Sequence, residues 1–384
     1  MATEKYLLTV DAGPHTRHYC PVSFTLPEPL LRGAWELRQT DGTTLPMQIL
    51  PTGAAVFMLP ELAAHTTAML SLQPTGGDNS QRAPQVTILD DSRSLSVEVG
   101  GTLFTNYHYT DVPARPYFYP VLTAAGREVT RAFPMRTDIA GESSDHPHHR
   151  SLWIAYGEVN GTDNWSEAPG HGSTRHDAVR SVTSGEVCGG FETTSSWITP
   201  GGASLLKQRL QVTAWATPHT FRMLDFTIDL TADQDSVLFG DTKEGGMLAV
   251  RVVGTMDVPR GGRIENSYGG IDEAETWGKS AHWCDYSGPV GDSAEGIAIL
   301  DHPLSFRYPT HWHVRNYGLM TANPFGYAAY TAGAKHGEHL LAQGETLHFQ
   351  YRLIVHAGNA REGDVRSRYL DFVSPPQAKV TPTE

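Results

Sequence analysis

The chain has 384 residues, of which 39% are hydrophobic and only 18% charged, and its formal net charge is -13 at pH 7. This acidic balance excludes nucleic acid and anionic membrane surfaces as partners, because both attract basic proteins. The 38 Gly and 25 Pro residues are spread along the chain, which favours many short strands joined by tight turns. The length suffices for one large domain or for two smaller ones.

The cysteines and the N-terminus indicate a reducing compartment. Cys20, Cys188 and Cys284 are widely spaced and form no CxxC motif, so we expect free thiols that are buried or half-buried. The N-terminus has no secretory signal, and no segment reaches the roughly 18 apolar residues that span a bilayer. The sequence therefore predicts a soluble, cytoplasmic protein.

Residues 1–76 predict a small N-terminal β-sandwich, because short apolar segments alternate with turn signals. Its strands are expected at Lys5–Val10, Val22–Leu26, Ala34–Gln39, Met47–Leu50, Ala55–Met58 and Ala68–Gln73. The polar segment 74–84 that follows is typical of a linker.

Residues 85–376 predict a large antiparallel β-sandwich, so the fold class is all-β. Ser94–Val99 and the next run, Thr102–Tyr109, are joined by two glycines, which is typical of a hairpin. Helical spacing of apolar residues is clearest at Glu362–Phe372. Further strands are expected at Leu152–Glu158, Ala178–Ser184, Phe191–Ile198, Leu205–Ala216, Phe221–Leu230, Met247–Val253, Gly296–Leu300, Gly318–Asn323 and Leu347–His356.

One short segment concentrates the chemistry of the chain. Asp145 and Arg150 flank three imidazoles, those of His146, His148 and His149, just before an apolar strand-like run. Imidazole exchanges protons near neutral pH and is a common metal ligand. Because the intervening proline excludes a helix, we expect an extended segment with His146 and His148 on one side and His149 on the other. Two imidazoles on one side could bind a metal ion, bind a sugar, or act as an acid–base pair.

A second segment contains Lys243 and Glu244, which precede two glycines. Glycine lets the backbone approach a ligand closely, and a glutamate in such a cleft is a candidate general acid or base. In a third segment His311 and His313 lie on one side of an extended strand, with Trp312 on the other. We expect all three segments to converge on one polar pocket.

The side chains around these segments suit a polyhydroxylated ring. Arg315, Tyr317 and Asn323 supply donors and acceptors for hydroxyl groups, and an aromatic residue such as Trp153 offers a flat face to the C–H side of a sugar. The sequence contains no GxGxxG or Walker motif, which excludes a nucleotide enzyme, and no GxSxG motif that would support a serine hydrolase. It also contains no HExxH spacing for a metal. The candidate metal ligands are nevertheless His146, His148, His311 and His313.

Five segments together resemble a soluble bacterial family that is labelled PmoA-like or "methane oxygenase", and the resemblance covers about residues 85 to 373. The segments are Arg115–Val121, Asp145–Trp153, Gly240–Gly246, His313–Gly318 and Ala322–Gly326. The resemblance implies a role in sugar catabolism. The oxygenase label conflicts with the absence of membrane-spanning segments. The pattern looks more like the galactose-mutarotase sandwich (supersandwich), in which a histidine acts as general acid and a glutamate as general base.

These observations lead to one principal hypothesis, a carbohydrate-active enzyme without nucleic-acid or membrane partners. Glu244 and one of His148 or His313 would form the acid–base pair for mutarotation, glycoside cleavage or elimination from a keto sugar. The expected substrate-binding residues are His146, His149, Arg150, Trp153, Lys243, His311, Arg315, Tyr317 and Asn323. The alternatives are a metal-dependent enzyme that uses the histidines and a non-catalytic sugar-binding module. A cofactor is either not required or is a divalent metal, and a homo-oligomer is compatible with the sequence.

Overall fold

The structure, a computed structural model, describes residues 5–31, 33–75 and 83–383. Its first seven strands form two small sheets around a separate core that includes Leu8, Val22, Phe57 and Leu70. These strands are β1 Lys5–Asp11, β2 Arg17–Thr25, β3 Trp35–Arg38, β4 Thr44–Pro46, β5 Gln48–Ile49, β6 Ala54–Leu62 and β7 Thr67–Pro74.

The larger part of the chain forms two eight-stranded antiparallel sheets. The first, which we call the front sheet, contains β8 Val86–Asp90, β9 Ser94–Val99, β10 Thr102–His108, β11 Tyr117–Val121, β12 Leu152–Tyr156, β18 Gly245–Arg251, β22 His311–Arg315 and β23 Leu319–Asn323. The second, the back sheet, contains β13 Ser173–Thr183, β14 Cys188–Ile198, β15 Ser204–Trp215, β16 Phe221–Thr231, β19 Arg263–Asn266, β20 Trp283–Val290, β21 Ser293–Asp301 and β25 Thr346–Ala357.

The remaining elements are short. Strands β17 Val237–Phe239 and β24 His339–Leu341 pair with each other, and β26 Gln377–Thr383 pairs with β1. The α-helices are α1 Asp272–Thr276, α2 Tyr327–Tyr330 and α3 Val365–Val373, and 3-10 turns occur at Glu28–Leu30, Gly254–Met256 and Val258–Arg260. The described residues include no helix with the length and apolar character that crossing a membrane requires.

The main core lies between the front and back sheets, and alternation along the strands explains it. In β16 the buried Phe226, Ile228 and Leu230 alternate with half-buried polar residues, as expected for a strand with one covered face. They share a core with Leu152 and Val250 of the front sheet. The prediction of an all-β fold with a large antiparallel sandwich is confirmed.

Strand order decides where the candidate site lies. Within the front sheet the order is β22-β23-β18-β12-β11, so segments that are far apart in the sequence become neighbours. Trp312 and Val314 of β22 point into the main core, and the intervening His313 therefore lies on the opposite, outer face. A small second core covers that outer face and consists of Trp153, Ala155, Trp165, Ala249 and Leu319.

Several local expectations can be compared directly with the structure. Helix α3 matches the helix expected at Glu362–Phe372, and the three cysteines are buried and free, as predicted. Strand β26 was missed because its sequence is polar; it is held by pairing with β1 from Lys5↔Thr383 to Asp11↔Gln377. Most of the expected linker, residues 76–82, lies outside the described residues. The division at residues 1–76 and 85–376 therefore stays a prediction.

Candidate active site

A tight turn, rather than an extended segment, carries the first group of histidines. His146 has a φ of 44°, and the backbone N–H of His149 donates to the His146 carbonyl oxygen at 2.9 Å. The buried guanidinium of Arg131 donates to the carboxylate of Asp145 at 2.6 Å and to the His146 carbonyl oxygen at 2.8 Å. The extended geometry predicted from the sequence was therefore wrong. Hydrogen bonds from Arg131 stabilise a left-handed conformation that is otherwise unfavourable.

The turn brings all three imidazole rings into contact. His146 stacks on His149 with ring centroids 4.7 Å apart, and His148 meets His149 edge-on at 4.5 Å. On its outer side His146 also stacks on Tyr317 at 5.2 Å. Beneath them, His149 stacks on Trp153 at 5.4 Å. The half-exposed His146 and the half-buried His148 therefore pack against the buried ring of His149, and the buried ring of Trp153 lies beneath it.

His149 is a buried imidazole whose tautomer follows from its partner. Its Nδ1 lies 3.1 Å from Nη1 of Arg251. Because a guanidinium only donates, Nδ1 accepts and the ring proton lies on Nε2. Burial, assisted by the charges of His148 and Arg251, holds the pKa of His149 well below its usual value. The ring was expected to bind substrate, but it is 1% exposed and supports the neighbouring imidazoles instead.

Glu167 belongs to the site although sequence reasoning missed it, since no motif surrounds it. Its carboxylate accepts hydrogen bonds from Nε and Nη2 of Arg150 at 2.8 and 2.7 Å and lies 3.6 Å from Nη1 of Arg115. Arg150 was expected to hold hydroxyl groups, whereas it is committed to this ion pair. Burial and the charge of Arg115 lower the pKa of His148 to about 4, against the opposing effect of Glu167.

Glu244 lies in a turn that is close to the neighbouring strand. The backbone N–H of Gly157 donates to the Glu244 carbonyl oxygen at 2.8 Å, and a Cβ atom at Gly157 would meet that oxygen at 2.4 Å. The half-exposed carboxylate of Glu244 pairs with Nζ of Lys243 at 2.8 Å. Burial raises the pKa of Glu244, but the hydrogen bond from Lys243 and the charges of His313 and His148 outweigh it and lower the pKa. Glu244 is therefore ionised at neutral pH.

Buried side chains on both sides fix this turn. The hydroxyl of Tyr156 donates to the carbonyl oxygen of Gly240 and accepts from the backbone N–H of Thr242 at 3.2 Å. From the other side, Nδ2 of Asn323 donates to the carbonyl oxygens of Thr242 and Lys243 at 3.0 and 3.1 Å.

Asn323 itself has no remaining capacity for a ligand. Its Oδ1 accepts from the backbone N–H groups of Phe325 and Gly326 at 2.9 and 3.1 Å, so all four of its hydrogen-bonding positions are occupied by the protein. The side chain is also 0% exposed. The expectation that Asn323 binds a sugar hydroxyl is therefore wrong.

His313 combines a fixed ring with a free ring nitrogen. Its Nδ1 lies 2.6 Å from the carbonyl oxygen of Lys243. Its Nε2 is buried and has no hydrogen-bond partner in the part of the chain that the structure describes. Burial lowers the pKa of His313 to about 4, although the nearby charge of Glu244 acts in the opposite direction. At neutral pH the ring is therefore uncharged, beside an ionised carboxylate.

His311 lies on the same face but in a different environment. Its ring contacts Tyr327 at 4.6 Å and stacks on Tyr330 at 5.7 Å, so it belongs to the region of α2. Trp277 links this region to His313 through an edge-on contact at 6.4 Å. Burial lowers the pKa of His311 to about 4.

The other expected ligand-binding residues divide into accessible and inaccessible ones. Trp153 is 1% exposed, which leaves no ring face for a ligand, so the expected stacking on a sugar is wrong. Arg315 is half-exposed and its Nε lies 3.0 Å from the carboxylate of Glu273. Tyr317 and Lys243 are also partly accessible. These three, with His146, remain candidates for substrate contact.

The four histidines named as metal candidates do not form a group of three ligands. Among the described residues, one set of three ligand atoms lies within 4.8 Å of one another, and it belongs to Asp241, His336 and Glu338. The carboxylate of Asp241 already accepts backbone N–H groups from Ala328 and Gly337. Its evident role is to hold the loop after α2 against the Glu244 turn.

The three sequence segments do meet. Their side chains form a cluster on the outer face of the front sheet. His313 joins the third segment to the second through the carbonyl oxygen of Lys243 at 2.6 Å, and Tyr317 joins it to the first by stacking on His146 at 5.2 Å. Cavities of about 450 and 240 Å³ are lined by other residues, near Glu265 and Arg361 in one case and near Tyr19 and Val187 in the other. The enclosure of the cluster in a pocket therefore stays a prediction.

Residues 94–369 match the model of a family of unknown function (DUF6807); the narrower resemblance to PmoA-labelled proteins stays a prediction. No curated protein matches the chain significantly in sequence.

Three solved structures show a distant likeness. A glycosyl hydrolase family 38 protein from Enterococcus faecalis is 9% identical with a TM-score of 0.44, over 99% of this chain and 48% of that one. An alpha-mannosidase from Enterococcus faecalis V583 is 10% identical with a TM-score of 0.44, over 99% and 46%. A galactose mutarotase related enzyme from Lactobacillus acidophilus is 10% identical with a TM-score of 0.31, over 71% and 97%. This chain spans about half the length of the two Enterococcus proteins.

Proposed function

Because the chain belongs to a family of unknown function (DUF6807), we propose its function from the site itself: a carbohydrate-active enzyme in which Glu244 and a histidine exchange protons with a bound sugar. The two candidate partners are His148, which is half-buried, and His313, which is 2% exposed. The observation that carries the proposal is the imidazole of His313, whose Nδ1 lies 2.6 Å from the carbonyl oxygen of Lys243, next to the ionised Glu244, and whose buried Nε2 has no partner among the described residues.

The protonation states argue against one of the three reactions, direct cleavage of a glycoside. Glu244 is ionised, and His148 and His313, each with a pKa of about 4, are uncharged at neutral pH. All three groups are therefore bases in the resting protein, whereas direct cleavage of a glycoside requires a group that is protonated at the start. A reaction that begins with proton removal fits better, and elimination from a keto sugar is such a reaction.

The step balances without an added oxidant or reductant. The base removes a proton from the carbon next to the keto group, and the C–H electron pair forms an enolate. As the enolate returns to a ketone, a double bond forms between the deprotonated carbon and the next carbon. The bond from that next carbon to the glycosidic oxygen breaks at the same time. The departing oxygen takes a proton from the group that accepted the first one, which restores the base.

The accessible side chains around Glu244 suit a hydroxylated ligand. Lys243 and Arg315 offer donors to hydroxyl or enolate oxygens, and the hydroxyl of Tyr317 and the ring nitrogens of His146 are further hydrogen-bonding groups. The partner would be a small-molecule carbohydrate. The free thiols of all three cysteines are consistent with action in the reducing cytoplasm, which is part of the proposal.

A screen in D₂O tests the proposal directly. The purified protein is incubated with ordinary and 3-keto glycosides, with and without a chelator, and products are followed by proton NMR. We expect the 3-keto glycosides to be consumed with loss of the signal of the proton next to the ketone and release of the free alcohol, and the ordinary glycosides to remain. Glu244→Gln should reduce the rate by roughly 100-fold or more, whereas Glu61→Gln, at an exposed position far from the cluster, should not change it.

Each alternative has its own outcome in the same experiments. Activity that survives Glu244→Gln within a few-fold shows that the base is assigned wrongly. Calorimetric sugar binding without turnover of any substrate supports the non-catalytic module. Loss of activity on chelation, with stoichiometric metal in the untreated protein, supports the metal-dependent enzyme.

A further inference from the structure

The imidazole of His313 is connected to Asn323 through a single backbone atom. The carbonyl oxygen of Lys243 lies 2.6 Å from Nδ1 of His313 and also accepts a hydrogen bond from Nδ2 of Asn323 at 3.1 Å. Asn323 holds the preceding carbonyl oxygen, that of Thr242, at 3.0 Å as well. Thr321, two residues earlier on the same strand, donates to the carbonyl oxygen of Gly245 at 2.7 Å.

The chemistry of these partners determines the tautomer of His313. A carbonyl oxygen only accepts hydrogen bonds, so Nδ1 of His313 must carry the proton. In an uncharged ring the other nitrogen, Nε2, then presents a lone pair. That nitrogen is the buried atom without a protein partner among the described residues.

We infer that Asn323 is a positioning residue, which fixes His313 in the Nδ1–H tautomer by holding the Lys243 carbonyl oxygen in place. This inference deepens the proposed function, because a proton acceptor at Nε2 is what the proposed reaction uses. Asn323 suits the role, since its own Oδ1 is anchored by two backbone N–H groups and its amide therefore cannot rotate without losing four hydrogen bonds. An aspartate at this position would keep the shape but lose both donors.

Nitrogen-15 NMR of the imidazoles tests the first half of the inference in the unaltered protein. The chain contains 18 histidines, so the His313 signals are assigned by their loss in His313→Gln. At pH 7 we expect the Nδ1 of His313 to resonate as a protonated nitrogen and Nε2 as an unprotonated one. The reverse pattern, or rapid exchange between both tautomers, overturns the inference.

Two variants test the part played by Asn323. Asn323→Asp and Asn323→Ser should each release the Lys243 carbonyl oxygen, so that the His313 spectrum shifts toward the Nε2–H tautomer or an average of the two. Asn106→Asp, on β10 of the same sheet and half-buried, serves as the matched control and should leave the His313 signals unchanged. Retention of a pure Nδ1–H signal in a folded Asn323 variant would show that Asn323 does not position the ring.

The spectra require no substrate, so they remain informative whatever the activity screen finds. If the tautomer is confirmed and no sugar is turned over, the geometry stands and the proposed reaction fails. If turnover depends on Glu244 but His313 is found with its proton on Nε2, the reaction stands and the role of Asn323 fails.

Discussion

Arg150 and Glu167 form a two-point ion pair beside His148, with N···O distances of 2.8 and 2.7 Å. The side chains are 9% and 14% exposed, and Arg115 lies next to them. Two largely buried guanidinium groups therefore share the carboxylate of Glu167, and Asp163 adds a smaller negative charge near Arg115.

Removal of that carboxylate should be costly. We expect Glu167→Gln to lower the free energy of unfolding by about 3–5 kcal/mol, because it leaves the largely buried guanidinium of Arg150 without its paired carboxylate and weakens the compensation of Arg115. Urea denaturation measures this. The matched control is Asp111→Asn, since the ion pair of Asp111 with Arg93 is 71% exposed on both sides and should contribute less than about 1 kcal/mol. Equal effects of both substitutions would contradict the structural role of Glu167.

Trp153 should act in stability and not in ligand contact. Its side chain is fully enclosed beneath His149 and against Trp165, with ring centroids 5.4 Å apart in both contacts. Trp153→Ala should lower the free energy of unfolding by about 3–5 kcal/mol. Leu304→Ala, at a position that is 64% exposed, should change it by less than about 0.5 kcal/mol. A Trp153→Ala protein of normal stability that has lost only sugar binding would refute this assignment.

Gly157 should be required for the position of Glu244. A methyl group at residue 157 would lie 2.4 Å from the backbone oxygen of Glu244, and a backbone atom cannot move aside without displacing the turn. We expect Gly157→Ala to reduce activity on any substrate that the screen identifies and to lower the melting temperature. Gly201→Ala is the control, because its nearest neighbour atom would lie 3.8 Å away. Normal activity in Gly157→Ala would mean that the turn tolerates displacement.

The pKa of His313 predicts how its contribution to stability depends on pH. Its folded-state pKa, about 4, is below the unfolded value of roughly 6.5. Between these values the unfolded chain binds a proton that the folded chain does not bind. The free energy of unfolding therefore falls as the pH decreases from 6.5 to 4. The difference in unfolding free energy between the unaltered protein and His313→Gln should therefore shrink by up to about 1.4 kcal/mol per pH unit in this window. A constant difference from pH 7 to pH 5 would contradict the low pKa.

The pH dependence of activity should reflect the ionisation of His313 and Glu244. Because the two proposed bases, Glu244 and His313, both have lowered pKa values, kcat/KM should stay level from about pH 6 to pH 8 and fall as the pH decreases toward about 4. A pH–rate profile in which activity rises on acidification would instead indicate a protonated group at the start of the reaction, and would favour direct glycoside cleavage.

Much of the fold was predictable because the strands carry their own signal. Alternating burial, as in β16, follows from alternating apolar and polar residues, and the helix at α3 follows from helical spacing. The strand at β26 gave no such signal, since a polar strand is held by its pairing partner and not by its own composition.

The candidate site was predictable in its residue types and not in its contacts. The histidines, Glu244 and Lys243 stand in segments whose chemistry is evident, but Glu167 lies in an ordinary loop and became part of the site only through Arg150 and Arg115. Trp153 and Asn323 were assigned to ligand binding because their side chains have suitable chemistry. Both side chains are buried in the structure, and a single sequence does not specify burial.

The sequence alone determined the class of the fold, the segments that carry ionisable groups and the side of β22 on which its histidines lie, because these depend on composition and on the two-residue period of a strand. Only the tertiary structure decided that β12, β18, β23 and β22 are neighbours, that Arg131 bends the histidine segment into a turn, and which nitrogen of His313 carries its proton. Those properties arise from hydrogen bonds between residues far apart in the chain, and such bonds have no counterpart in local sequence.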